Sequence, residues 1–164
     1  MRTFIEHPLP PLFDADSEVL ILGSFPSIKT REMGFFYGHP QNRFWKVAAT
    51  VFQDAFPETK EERAAFALRH KMAMWDVIYS CEIEGSSDSS IRNVTPTDLV
   101  PILETAPNIR LIITNGKTAH RFYQKYTAKK IGREDLCLPS TSPANAAWRL
   151  EDLIREWQVL SAKP

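Results

Sequence analysis

Gly38-His39-Pro40-Gln41-Asn42-Arg43-Phe44-Trp45 is the stretch of this chain whose residue types come closest to a built chemical site. It follows Ile21-Leu22-Gly23-Ser24-Phe25-Pro26-Ser27 by a short loop, and Leu138-Pro139-Ser140-Thr141-Ser142-Pro143-Ala144-Asn145 echoes it near the far end. An apolar strand entering a Gly/Ser/Pro turn, then an aromatic loop ending on an Asn at a helix start, builds a pocket for a flat polar ligand. Gly23, Ser24, Phe25, Pro26 and His39 are its expected walls. Phe35, Phe36 and Tyr37, bracketed as loop by Gly34 and Gly38, offer a stacking face worth about 1–3 kcal/mol per base.

The remaining polar candidates are uncharged: Asn42, Asn115, Ser24, Ser140, Ser142 and Asn145. An Asn side chain presents one carbonyl acceptor beside an NH2 donor. It pairs twice with an edge that offers an acceptor next to an N–H. Hypoxanthine and uracil have that edge; adenine and cytosine do not. Each Asn also has a plain structural reading. Asn115-Gly116 is a common turn pair, and Asn42 can serve as N-cap of the helix that follows it.

Several familiar sites are excluded. Gly116-Lys117-Thr118 resembles the end of a phosphate loop, but Leu111 stands where that motif needs a Gly. The four histidines, His7, His39, His70 and His120, lack metal-ligand spacing, and Cys81 and Cys137 form no CxxC pair. The zinc-deaminase pattern and the GxSxG elbow are absent. No metal and no cofactor are expected.

At 164 residues, 43% hydrophobic and 24% charged, the chain suits one domain spanning 1–164, with residues 1–17 as an extended N-terminal arm. Its formal net charge is zero, so any affinity for nucleic acid must be local. Lys117, Arg121, Lys125, Lys129, Lys130 and Arg133 form one basic run, most of which reads as a solvated helix face. No membrane-spanning run or secretory leader is evident, and two isolated thiols suit a reducing compartment. A cytoplasmic monomer is expected.

The elements that must hold these residues alternate. Strands are expected at Glu18–Gly23, Met72–Tyr79, Ile109–Thr114 and Leu136–Leu138. Helices are expected from Asn42, over Glu58–His70, from Thr95-Pro96-Thr97-Asp98 with Pro101 in or ending its first turn, over Lys117–Tyr126, and over about Ala146–Leu160. Gly85–Ser90 reads as a polar turn. The pattern predicts a three-layer α/β/α sandwich around a mainly parallel sheet. Ligands of such sheets bind beyond the carboxyl ends of the strands. The turns Gly23–Ser27, Asn115–Lys117 and Pro139–Asn145 all fall at that edge.

The segment GHPQNRFWKV, Gly38 to Val47, resembles the mismatch-specific uracil/thymine-DNA glycosylases. The likeness runs from about Val19 to Phe52 and resumes at Trp75–Asp76, Ile109–Ala119 and Leu138–Ala146. Those relatives carry an Asn where this chain has Phe25, and the faster uracil-specific families carry an Asp in that turn. GSFPS, GHPQN, Gly85-Ser86-Ser87-Asp88-Ser89-Ser90, TNGK and PSTSPA together resemble the hypoxanthine-DNA glycosylase branch of the uracil-DNA glycosylase superfamily. That resemblance implies the superfamily's fold and excision of a deaminated base from DNA without a covalent intermediate. It makes Asn42 the catalytic residue, Asn115 a second functional Asn and Tyr37 the ring that stacks on the extruded base. Ser140, Ser142, Pro143, Ala144 and Asn145 become the strand-gripping loop, Asn145 the residue expected to fill the gap, and Lys117 a phosphate contact. Asn42 is expected to position water through its carbonyl or to donate to the base, giving a slow, selective enzyme. The competing expectations are a uracil/thymine mismatch glycosylase and a silent nucleic-acid-binding module on the same scaffold.

Overall fold

A computed structural model describes residues 2–162 of the chain. Its centre is a parallel four-stranded sheet in the order β3 (Met72–Asp76), β2 (Val19–Gly23), β6 (Leu111–Asn115), β7 (Leu136–Leu138). All five residues of β2 are buried, as an unbroken apolar run flanked by strands on both sides requires. Alternation then divides the strand. Val19 and Ile21 enter one core and Leu20 and Leu22 the other.

The first core is closed by α2 (Phe44–Phe52), α3 (Lys60–Arg69) and α7 (Leu150–Glu156). Phe44, Trp45, Val47, Ala48 and Val51 are all buried there, on the face that helical periodicity assigns them. The second core is closed by α4 (Val100–Thr105), α5 (Lys117–Tyr126) and α6 (Ala128–Ile131), through Ile102, Phe122, Tyr123 and Ala128. A short helix α1 (Ile28–Met33) starts at Ser27, whose hydroxyl accepts the Thr30 amide. The layers are those of an α/β/α sandwich.

An additional antiparallel sheet departs from the sequence reading. Its order is β1 (Thr3–Glu6), β4 (Ile78–Ile83), β5 (Arg92–Pro96). Met72–Tyr79 is therefore not one strand. After Asp76, the Val77 amide donates to Gly23 and the Ile78 amide to Ser24, and the chain then crosses into the second sheet. Of the expected arm 1–17, the described residues 2–17 are not free. Thr3–Glu6 pairs with Ser80–Ile83, and Leu12 bridges Met74. The helix expected from Thr95 begins later. Thr95 and Pro96 pair with Ser80 and Ile78, the Thr97 hydroxyl donates to Asp76 and Val77 carbonyls, and Asp98 accepts the Val100 amide. Ladder bonds outcompete the local capping signal. Likewise Asn145–Trp148 is spent in turns, so the last helix starts at Leu150 and tightens into a 3-10 turn over Trp157–Ser161.

Candidate active site

The turns after β2, β6 and β7 converge on one cleft of about 980 Å³. Of the residues singled out from the sequence, Gly23, Ser24, Phe25, Pro26, Phe36, Tyr37, His39, Asn42, Asn115, Lys117, Ser140, Ser142, Pro143, Ala144 and Asn145 line it, and Phe35 does not. Two glycines make the convergence possible. A Cβ on Gly23 would sit 2.4 Å from Asp76 Oδ1, and one on Gly116, at φ +100°, would sit 2.9 Å from Ser140 Cβ.

The polar centre is a chain of amides joined by Thr141. Asn42 Oδ1 accepts the Phe44 amide at 2.9 Å and the Thr141 hydroxyl at 2.9 Å. Asn115 holds the same threonine twice: its Oδ1 accepts the Thr141 amide at 3.0 Å and its Nδ2 donates to Thr141 Oγ1 at 3.0 Å. Arg43, not Asn42, is the N-cap of α2; Asn42 stands one residue earlier and closes a turn onto Phe44, so one carbonyl serves both that turn and the Thr141 contact. The Phe44 amide also fixes which end of the Asn42 side chain is oxygen. Its NH2 group donates to no described residue, so a donor remains for a ligand. Asn115 differs: its edge is already paired within the protein, and it acts on the cleft through Thr141.

Thr141 is fully buried, whereas the sequence singles out its neighbours Ser140 and Ser142. Those two hydroxyls shape the loop, accepting the Ser142 and Ala144 amides. Asn145 braces it by donating to the Ser140 carbonyl at 3.0 Å. Arg43, also missed, clips the loop to α2 by donating to the carbonyls of Ser142, Asn145 and Trp148. A Thr flanked by serines in a turn facing a second Asn was the only available sequence signal for this hub. Thr141→Val keeps shape but removes the hydroxyl, leaving Asn115 Nδ2 without its acceptor. A stability loss of about 1–3 kcal/mol is expected, together with slower turnover as Asn42 loses one of its two anchors; unchanged melting and turnover would deny the hub its role.

The aromatic loop divides its labour. Phe35 stacks on Trp45 (6.0 Å) and Phe36 is buried, so both belong to the first core. Tyr37, at φ +53°, lies in the cleft wall with one face stacked on Phe44 at 4.6 Å. Its hydroxyl is buried without a hydrogen bond of ordinary geometry. Burial, and secondarily the Asp76 carboxylate, hold this phenol well above its ordinary value, so it stays a neutral O–H. His39 accepts the Gln41 amide through Nδ1 and shapes the approach to Asn42. Phe25 is buried, edge-on to the His7 ring at 6.0 Å. Lys117 is exposed at the start of α5, on the rim.

Three acidic residues among those described line the cleft: Asp76, Asp88 and Glu156. Asp88 lies at the rim, 3.5 Å from the Ser24 hydroxyl, its carboxyl pushed up by burial and pulled back by Thr118, Ser24 and Arg121. Asp76 lies deeper, at the carboxyl end of β3, and is bonded to buried His7 at 2.7 Å. The turn Gly23–Ser27 lacks an acid, but the strand beside it supplies one. Among the described residues no group of three or more His, Cys, Asp and Glu side chains is arranged to hold a metal. None of the described helices is long and apolar enough to cross a membrane.

Residues 10–161 match the model of the uracil DNA glycosylase superfamily. A hypoxanthine DNA glycosylase of Methanosarcina acetivorans is 31% identical over 157 residues, 95% of this chain and 98% of that protein. A hypoxanthine DNA glycosylase of Methanosarcina barkeri is 31% identical over 137 residues, 83% of this chain and 85% of that protein. The solution NMR structure of a candidate uracil DNA glycosylase from Methanosarcina acetivorans superimposes with a TM-score of 0.80 at 28% identity, covering 98% of this chain and all of that one.

Proposed function

The chain belongs to the uracil DNA glycosylase superfamily, and from that premise we propose that it is a monofunctional DNA glycosylase that removes hypoxanthine from deoxyinosine. Its curated relatives carry that activity in their names. The observation that carries the mechanism is the fixed orientation of Asn42, a lining residue whose carbonyl is occupied by Phe44 and Thr141 while its NH2 has no partner among the described residues.

The substrate nucleotide leaves the stack and enters the cleft, at lower cost than a normal base because its pairing is already weak. Tyr37 supplies the stacking face. As the C1′–N9 bond lengthens, its electron pair moves onto the purine and positive charge grows on the sugar. The Asn42 NH2 donates to the departing base, where a pre-set donor in a water-poor site has most effect. Water then adds to C1′ and loses a proton, the base anion takes one up, and neutral hypoxanthine and an abasic site are released. With its carbonyl engaged, Asn42 acts as donor; holding the water falls to other groups. Lys117 and the amides opening the ten-residue helix α5 contact a phosphate, and the loop Ser140–Asn145 follows the strand. One chain completes the cleft, which supports action as a monomer, and the free thiols Cys81 and Cys137 support a cytoplasmic setting.

The test is chromatography of the reaction on deoxyinosine duplex. Free hypoxanthine should appear while the strand stays intact until alkali is added. A borohydride-trapped protein–DNA adduct would contradict hydrolysis without a covalent intermediate, and absence of released base would contradict the function.

A further inference from the structure

Asp76 is a carboxylate in the cleft for which the steps above have no use. It stands where the chain leaves the parallel sheet, beside Gly23, the first residue of the opening turn. His7, brought there by the pairing of β1 with β4, fixes it. The Leu9 amide donates to His7 Nδ1 at 3.1 Å, so the ring hydrogen is on Nε2, which donates to Asp76 Oδ2 at 2.7 Å. The other oxygen, Oδ1, points toward Gly23 and receives a hydrogen bond from no described residue. The remaining amide acceptors of the cleft centre are spent: Asn42 Oδ1 on Phe44 and Thr141, Asn115 Oδ1 on the Thr141 amide.

Resting on the reading of this cleft as a base pocket, we propose that Asp76, held by His7, is the acceptor that reads the N1–H of the extruded 6-oxopurine. A base bearing an N–H at this edge pairs with Oδ1. Adenine presents a lone pair at N1, and two acceptors then face each other in a nearly dry site. The His7 bond adds a second selection. With Oδ2 engaged, one acceptor is left, which matches hypoxanthine's single N–H there and leaves guanine's 2-amino group unpaired.

Asp76→Asn is the discriminating variant, because it keeps size while an amide can turn an NH2 toward the base. Duplexes carrying deoxyinosine or deoxynebularine, whose purine lacks O6 and offers N1 as an acceptor, are compared in single turnover. The deoxyinosine-to-deoxynebularine rate ratio is expected to fall by roughly 10–100-fold, the size of one misplaced buried hydrogen bond, with an unchanged melting temperature. Titration with free hypoxanthine and free purine, followed by tryptophan fluorescence, should show the same reversal without depending on turnover. An unchanged ratio in both measurements overturns the proposal; if both rates fall together, Asp76 serves chemistry or folding, not recognition. Wild-type protein that excises no hypoxanthine overturns the functional reading as well.

Discussion

Asn42→Ala is expected to lower the single-turnover rate on deoxyinosine DNA by about 10²–10³-fold, the usual cost of removing one donor aimed at developing charge. The same side chain accepts the Phe44 amide at the start of α2, so the variant should also lose about 1 kcal/mol of stability. The two effects are separable. Asn42→Asp keeps the oxygen that Phe44 and Thr141 use and discards the NH2. It should melt like the parent and still fail to excise. An Asn42→Asp protein with parental turnover would mean that the NH2 is not the active group.

Gly23→Ala should be nearly as damaging, for a steric reason. The added methyl would meet Asp76 Oδ1 at 2.4 Å and the Tyr37 hydroxyl at 3.4 Å. Asp76 can yield only by stretching its 2.7 Å bond to His7, and Tyr37 is pinned against Phe44. Overpacking of this kind costs roughly 1–3 kcal/mol, and the floor of the cleft shifts with it. Loss of excision together with a lower melting temperature is expected. Gly34→Ala, at φ +73° but with no heavy atom within 4 Å, is the matched control: it strains backbone outside the cleft and should leave selectivity intact. Equal behaviour of the two variants would mean that the Asp76–Gly23 contact relaxes without consequence.

What could be read in advance follows the range of the interactions. Val19–Gly23, Lys117–Tyr126 and Leu136–Leu138 were legible because each is local: a buried β-branched run, a 3.6-residue period, a short apolar strand before Pro139. The site edge followed from them, since three distinctive turns after three strands must meet if the strands are parallel. The antiparallel sheet was not legible. Arg92–Pro96 is mostly exposed and polar, and only its pairing with Ile78–Ile83 makes it a strand. The site shows the same division. Asn42 and the serine loop stand out by residue type and Tyr37 by the family resemblance, whereas Thr141 matters because Asn42 lies 99 positions away, and Asp76 because His7 lies 69 away. Sequence also left Asn115 as a reader of the base edge. The structure gives that edge a protein partner.

One experiment decides whether this cleft is a hypoxanthine site. Purified protein is incubated with matched duplexes carrying a single deoxyinosine, a single deoxyuridine or a G·T mispair, and abasic sites are then cleaved with alkali. Strand scission at deoxyinosine alone is expected, because Phe25 fills the place where the mismatch-specific relatives carry Asn. Scission mainly at deoxyuridine would keep the fold and contradict the substrate; retained DNA binding without scission at any lesion would make the chain a binding module instead of an enzyme.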